Sequence, residues 1–256
     1  MRTFEIKYLL LFTFLVALSG KVNAQAFGFG CLGFVGGYGG YSIQMYKPVG
    51  LNNYIGVFNK NRSDSLSEPM GEFGNVKGYR VGVNLFRANL SGLILTFKGF
   101  YQSLVEKKSA QIHYTNSGNS SVTYEIDIRG WGAGIDLGTT ITGALSWKVI
   151  DAAVHFNKVN FKTTTNKPGG QTSYLNYSTD KASIGYSIGT GFILEIIDEY
   201  ISLEGLAGYS VFNIDTVQLS DGTQLTLNEN SSAPMKDFIS SGGFNAVIQL
   251  NIGFPF

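Results

Sequence analysis

Apolar and polar residues alternate with a period of two along most of the chain, which is the pattern of β-strands with one apolar and one polar face. The last segment keeps the alternation over its whole length, and Val247 is the single apolar residue on its polar face. We interpret it as a strand whose apolar face consists of Phe244, Ala246, Ile248, Leu250, Ile252, Phe254 and Phe256.

Other segments follow the same pattern with more interruptions, so the sequence predicts eight strands, although ten are also compatible with it. The first strand is too rich in glycine for its faces to be assigned. The predicted strands cover residues 26–46, 76–88, 93–115, 121–140, 145–163, 181–194, 199–213 and 238–256.

One predicted strand changes phase in its middle. Apolar residues occupy even positions from Val122 to Ile128 and odd positions from Trp131 to Leu137. A β-bulge inserts one extra residue and shifts the alternation by one. The sequence therefore predicts a bulge at Gly130.

The connections between these strands are alternately short and long, as in barrels that have turns on one side of a membrane and loops on the other. Strands within residues 93–137 exceed the roughly ten residues that cross a bilayer, so this hairpin is expected to project from the membrane. In the last long loop, Asp221-Gly222 predicts a type I′ turn and a second projecting hairpin.

The first long loop contains four apolar residues at helical spacing: Leu51, Tyr54, Ile55 and Phe58. This spacing predicts a short helix over residues 51–58 that packs as a lid on or into the mouth of the barrel. Chance could produce the same spacing in so short a segment, and this alternative stays open.

The N-terminal segment has the features of a secretory signal peptide. Arg2 and Lys7 precede an apolar run, and the small-residue sequence Val22-Asn23-Ala24 follows it. The run has about 11 residues, fewer than the roughly 20 that a membrane anchor needs. We expect a signal peptide at residues 1–24, cleavage after Ala24, and one domain at residues 25–256.

No segment after residue 24 is long and apolar enough for a membrane-spanning helix, so a span would have to be a closed barrel. The terminal strand and its final Phe256 resemble the C-terminal strand of bacterial outer-membrane barrels, and the whole pattern resembles the OmpA-type and porin-like group. The resemblance implies an all-β fold, a closed antiparallel up-and-down transmembrane barrel, without the peptidoglycan-binding domain of some members. It also implies outer-membrane lipid as surroundings and an insertion machinery that reads Phe244, Ile248, Leu250, Ile252, Phe254 and Phe256.

If the apolar faces meet lipid, the opposite faces fill the interior, which in an eight-stranded barrel is just wide enough for side chains. The polar residues expected there are Arg80, Lys98, Glu125, Asp136, Asp151, His155 and Glu204. Charges of both signs can pair and close the interior. The alternative is a narrow conduit whose charges select solutes.

Composition and motifs argue against several classes of partner and of activity. The net charge of +1 argues against nucleic acid, which needs a clustered cationic face. A lone Cys31 excludes an intramolecular disulfide, and the lack of clustered His, Cys and carboxylate residues predicts no metal or cofactor. Lipid A deacylases of the barrel type have a serine two residues after the catalytic histidine, whereas Thr115 follows His113 and Asn157 follows His155. We therefore expect no catalytic residues.

The leading hypothesis is a non-enzymatic outer-membrane barrel whose protruding loops contact an unknown extracellular partner or ligand. The second is a narrow conduit for small solutes or hydrophobic ligands. The third is a lipid-modifying outer-membrane enzyme.

Overall fold

The strands of this chain form a closed ring. The structure is a computed structural model that describes residues 36–90, 92–114, 118–197, 200–228 and 234–253. The predicted signal peptide, Cys31, Phe254 and Phe256 lie outside the described residues. The elements are β1 (Gly36–Met45), α1 (Val49–Asn61), β2 (Leu66–Glu68), β3 (Asn75–Leu90), β4 (Leu93–Tyr114), β5 (Gly118–Thr142), β6 (Leu145–Asn166), β7 (Thr172–Ser178), β8 (Ser183–Ile197), β9 (Ile201–Val211) and β10 (Phe244–Gly253).

Eight strands make up the ring. Each pairs antiparallel with the next in the order β1–β3–β4–β5–β6–β8–β9–β10, and β10 pairs with β1. The prediction of an eight-stranded up-and-down barrel is confirmed. Two further strands, β2 and β7, were not predicted; they pair with the C-terminal ends of β4 and β6. Across the described ranges, no helix is long and apolar enough to cross a membrane.

The short turns lie at one end of the barrel, which we call the lower end, and the long loops lie at the other. The outer surface of the lower part is apolar, with exposed side chains that include Val81, Ile135, Ile150, Ile188, Leu203 and Leu250. Aromatic residues flank this belt above and below. The upper girdle contains Tyr41, Tyr79, Trp131, Phe156, Tyr186, Tyr209 and Phe244, and the lower girdle contains Phe86, Phe97, Trp147, Phe192 and Tyr200.

An apolar belt between two aromatic girdles is the outer surface of a barrel that spans a membrane. The residues predicted as an insertion signal agree with this placement where they are described. Phe244, Ile248, Leu250 and Ile252 are exposed on the outside of β10, and the intervening Val247 and Gln249 are buried inside. Reading of these residues by an insertion machinery stays a prediction.

Above the upper girdle, the interior is a hydrophobic core. It is built from the inner faces of β4, β5 and β6, from α1 and from the segment between β9 and β10, and includes Leu51, Ile55, Leu104, Ile112, Ile126, Ile128, Val159, Phe161, Phe238 and Ile239. The outside of the same strands is polar, with ion pairs between Lys107 and Glu125 and between Arg129 and Asp127.

The predicted bulge at Gly130 is wrong. The pairing of β5 with β4 runs without a shift from Tyr114↔Gly118 to Leu93↔Thr139. Even-numbered residues of β5 face inward both above and below Gly130. The apolar residues change sides because the strand leaves the lipid near Trp131 and continues beside an apolar core, with water outside.

The predicted lid helix is confirmed and is longer than its apolar pattern. Leu51 and Ile55 of α1 are buried in the upper core, and Tyr54 and Phe58 pack against it. Asn52 and Asn59 fix the segment that follows β2 against the helix. The side-chain amide of Asn52 forms two hydrogen bonds with the backbone N–H and C=O of Phe73, and the side-chain amide of Asn59 forms two with the backbone of Met70, all at 2.9–3.0 Å.

The predicted hairpin around Asp221-Gly222 forms, with an antiparallel bridge between Gln218 and Gln224, but the prediction of a type I′ turn is wrong. Gly222 has a positive φ of 85°, but Asp221 does not, whereas a type I′ turn requires positive φ at both residues. The base of the hairpin packs inward, since Val217 and Leu225 on either side of the turn are buried in the upper core, whereas residues 220–224 at its tip are exposed. The backbone N–H of Thr223 donates to Asp221 at 2.9 Å and lowers the pKa of that exposed carboxyl.

Inside the membrane level, large rings lie beside glycines. The cross-strand row Tyr38–Gly82–Phe100–Gly132–His155 alternates large and minimal side chains. A Cβ atom at Gly132 would fall on the Phe100 ring, and one at Gly82 would fall on the Tyr38 ring. Glycine at both positions therefore lets the rings extend across the interior.

We expect Gly132→Ala to destabilise the barrel by about 1–3 kcal/mol, because the added methyl group displaces the Phe100 ring from a filled interior. Urea unfolding of refolded protein in detergent measures the effect. Gly205→Ala is the matched control, since a Cβ at Gly205 meets nothing within 4 Å. Equal stability of the two variants would contradict this account of the row.

Candidate functional site

The barrel interior at the membrane level holds a cluster of buried charges. Three cations and three carboxylates meet there: Arg80, Lys98, Lys148, Asp136, Asp151 and Glu204. The formal charges of this set sum to zero. Each residue is at most 8% exposed, so pairing within the cluster must offset most of the cost of desolvation.

Lys148 lies at the centre of the cluster. Its Nζ is 2.5 Å from Glu204 Oε1, 3.0 Å from Asp136 Oδ2 and 3.8 Å from Asp151 Oδ2. Lys98 forms an ion pair with Asp151 and lies 3.9 Å from Asp136. The two lysines thus share the three carboxylates.

A hydrogen-bond chain extends the cluster toward β10. The amide of Asn251 donates to Glu204 Oε2 at 3.0 Å and to the Ser202 hydroxyl at 3.1 Å, and the amide of Gln249 donates to Asn251 Oδ1 at 2.9 Å. Both oxygens of Glu204 therefore have donors, one from Lys148 and one from Asn251.

Arg80 occupies the upper part of the cluster and has a different environment. Its guanidinium donates to Gln102 Oε1 at 3.0 Å and lies 4.5 Å from the centre of the Phe100 ring. Its Nε has no hydrogen-bond partner in the described part of the chain. A small cavity beside it, lined also by Asp151, Ser187 and Asn245, has space for about one water molecule.

The structure places six of the seven predicted interior residues inside the barrel: Arg80, Lys98, Asp136, Asp151, His155 and Glu204. Glu125 is the exception and corrects the prediction. It lies above the membrane level on the outside of β5, where it pairs with Lys107 at 2.8 Å. The reason is the continuous register through Gly130, which turns odd-numbered residues of β5 outward.

Sequence reasoning missed Lys148, because strict alternation from Ile150 to Phe156 places even-numbered residues outside. The pairing of β6 with β8 shifts between Lys148 and Asp151, so both residues face inward. The adjacent apolar pair Val149-Ile150 between two charged residues was the available signal of this bulge.

We expect Lys148→Met to destabilise the barrel by about 3–5 kcal/mol, because it leaves Asp136 and Glu204 buried without their main cation. Urea unfolding in detergent measures the loss. Lys167→Met, in an exposed loop, removes the same charge and should change the free energy of unfolding by less than about 0.5 kcal/mol. A Lys148→Met barrel as stable as this control would show that the cluster is not held by its charge pairs.

The two histidines lie in separate places. His155 is buried in the interior, with Nε2 2.7 Å from the Ser187 hydroxyl and its ring 5.4 Å from that of Phe100. His113 lies near the tip of the β4–β5 hairpin, with Nδ1 2.7 Å from Asn119 Oδ1. The His155–Ser187 pair has the residue types of a hydrolase, but the upper core lies above it and the charge cluster beside it.

Glu106 connects neighbouring segments of the barrel wall above the upper girdle by hydrogen bonds. Its Oε2 accepts hydrogen bonds from the Tyr46 hydroxyl at 3.0 Å and from the backbone N–H groups of Gly74 and Asn75 at 3.1 and 2.8 Å. Burial, together with the adjacent carboxylate, raises the pKa of Tyr46 far above its ordinary value. The phenol therefore stays a donor to Glu106.

The extended strands form an open sheet above the membrane, which we call the extracellular sheet. Its order is β2–β4–β5–β6–β7. At one edge, β2 has only three residues, ends at Glu68 and is followed by Pro69. Short length, charge and proline each hinder the pairing of an edge strand with another chain. β7 has seven residues and an exposed surface, on which Tyr174 is 70% and Leu175 is 50% exposed.

Comparison with known proteins gives structural neighbours only. No family model and no curated protein matches the chain. Similar solved structures include the attachment invasion locus protein Ail of Yersinia pestis, which is 10% identical with a TM-score of 0.35, over 86% of this chain and 97% of that one. Neisserial surface protein A is 13% identical with a TM-score of 0.36, over 85% and 97% of the two chains. The outer membrane protease OmpT from Escherichia coli is 8% identical with a TM-score of 0.38, over 86% and 95%.

The features described above define the class of this protein. A closed ring of eight strands, an apolar belt between aromatic girdles and a polar interior make the chain a small transmembrane β-barrel of the outer-membrane type. In the described ranges, no three His, Cys, Asp or Glu side chains are grouped to hold a metal ion.

Proposed function

We propose that this barrel is a non-enzymatic surface-interaction protein that presents the extracellular sheet to a partner, with β7 as the contact strand. The observation that carries the proposal is the exposed edge of β7, together with its exposed Tyr174 and Leu175. An edge strand of this length can accept an extended polypeptide as an additional strand. The partner proposed is therefore an extended extracellular polypeptide.

The hydrogen bonds of Ser178 indicate which backbone groups of β7 face this edge. Its N–H donates to the carbonyl of Gln218 at 2.7 Å and its carbonyl accepts from the Gln218 N–H at 2.9 Å, so both point away from β6. Backbone groups alternate along a strand, and those of Asn176 and Tyr174 consequently point the same way. In the described part of the chain, no strand other than β6 pairs with these two residues.

Two observations support a non-enzymatic role. The interior Ser–His pair is enclosed between the charge cluster and the upper core, away from lipid and from the extracellular surface. The upper core itself fills the mouth of the barrel with apolar side chains, where a substrate cleft would need convergent polar groups. Residence in the outer membrane after removal of residues 1–24, and insertion by the machinery that reads the last strand, complete the proposal.

We expect Asn176→Pro to reduce partner binding by about tenfold or more, because proline removes an edge-facing N–H and its ring obstructs an added strand. The ladder with β6 should survive, since the Asn176 N–H does not point toward it. Refolded protein in detergent is titrated with a permanently unfolded polypeptide, reduced and carboxymethylated α-lactalbumin.

Asn176→Ala is the matched control and should bind as the unmodified chain does, because it keeps the backbone donor. Unchanged heat-dependent migration on a gel establishes that each variant is folded. Binding by Asn176→Pro equal to that of Asn176→Ala would refute the edge of β7 as the contact.

The filled interior favours a closed barrel over the alternative of a conduit. The cluster of six buried charges, the Tyr38 and Phe100 rings and the upper core lie in succession along the axis. We expect no steady ionic conductance from the refolded protein in a planar bilayer. Stable unitary currents that Lys148→Met alters would instead establish the conduit.

A further inference from the structure

The outside of β3, β5 and β6 repeats one arrangement at the upper girdle. On each strand a cation lies two residues above an aromatic residue of the girdle: Lys77 above Tyr79, Arg129 above Trp131, and Lys158 above Phe156. Two residues along a strand correspond to about 6–7 Å. We call these three cations the outer cationic patch.

The patch has an excess of positive charge that the protein does not neutralise. Asp127 is the acidic residue beside it, and this carboxylate accepts from Arg129 Nε at 2.8 Å. Lys77 and Lys158 have no ion-pair or hydrogen-bond partner among the described residues. Arg129 and Lys158 are also direct cross-strand partners, an arrangement of like charges that costs stability unless an anion lies between them.

The position of the patch identifies the kind of anion. The girdle of Tyr79, Trp131 and Phe156 marks the boundary between acyl chains and headgroups, so cations just above it lie at the depth of lipid phosphates. Guanidinium and ammonium groups form charge-assisted hydrogen bonds with phosphate oxygens. We propose that the outer cationic patch binds the phosphate of an anionic lipid headgroup in the outer leaflet.

The chain provides a reporter for this site. Its two tryptophans are Trp131, which is 68% exposed below Arg129, and Trp147 in the lower girdle. A Trp147→Phe background leaves Trp131, beside the patch, as the single tryptophan, which is excited selectively over tyrosine at long wavelength. The protein is refolded into phosphatidylcholine vesicles that contain a minor fraction of brominated phosphatidylglycerol, and quenching is compared with that by the same fraction of brominated phosphatidylcholine.

We expect phosphatidylglycerol to be enriched around Trp131 by about fivefold over its bulk fraction, and Arg129→Gln/Lys158→Gln to abolish the enrichment. Lys107→Gln/Lys162→Gln is the matched control. It removes the same net charge from the outside of β4 and β6, but further above the girdle, and should keep the enrichment.

Three results of the quenching comparison would overturn the proposal. They are no enrichment in the unmodified chain, equal enrichment in both double variants, and equal loss in both, which would reflect net charge rather than a site. Displacement of the lipid by inorganic phosphate at constant ionic strength would also overturn it, because the site would then hold free phosphate. Heat-dependent gel migration of each variant verifies that only folded barrels are compared.

Discussion

Where they pass the upper girdle, the long strands β4, β5 and β6 each keep one face toward the barrel axis, while the medium outside changes from lipid to water. The constraint comes from the backbone: in lipid every N–H and C=O must pair with a neighbouring strand, so the ring closes, and a strand without a bulge keeps its two faces. The apolar side chains therefore move from the outer face of the strand to its inner face where the strand leaves the lipid. On β5, Gly130 separates an apolar inner face above, which ends at Ile128, from an apolar outer face below, which begins at Trp131.

The two levels are consequently stabilised in different ways. Above the girdle, α1 and the segment before β10 bury Leu51, Ile55 and Phe238 in a core of the ordinary kind. Below it, lipid already covers the apolar surface, and the interior is filled by charges that offset one another. Removing residues 50–75 would therefore empty the upper core and unfold the extracellular half. Deletion of this loop thus cannot separate an effect on binding from an effect on folding, whereas a single substitution on β7 can.

The sequence predicted those features that depend on alternation and failed where tertiary packing decides. Seven of the eight ring strands and the lid helix follow from the period of their apolar residues, because one face of each element is uniform over several residues, whereas β1 is too rich in glycine for its faces to be assigned. Lys148 could not be placed inside by counting, since a bulge after it changes the parity. The inward fold of the segment around Asp221 depends on contacts with distant strands, and Glu125 was misplaced because the medium around β5, rather than its register, changes.

The wall of the barrel is also asymmetric around its axis. The longest strands, β4, β5 and β6, carry the extracellular sheet, and β5 and β6 provide two of the three cations of the outer patch. The tilt of strands that project from the membrane is constrained by the lipids that surround them at headgroup depth. If Arg129 and Lys158 hold headgroup phosphate, the same contact orients β6, and β6 is the strand that positions β7 through pairs from Asn160↔Ser178 to Asn166↔Thr172. Lipid contact and partner contact then depend on one continuous strand, so the edge of β7 would be presented at a defined height and angle above the membrane.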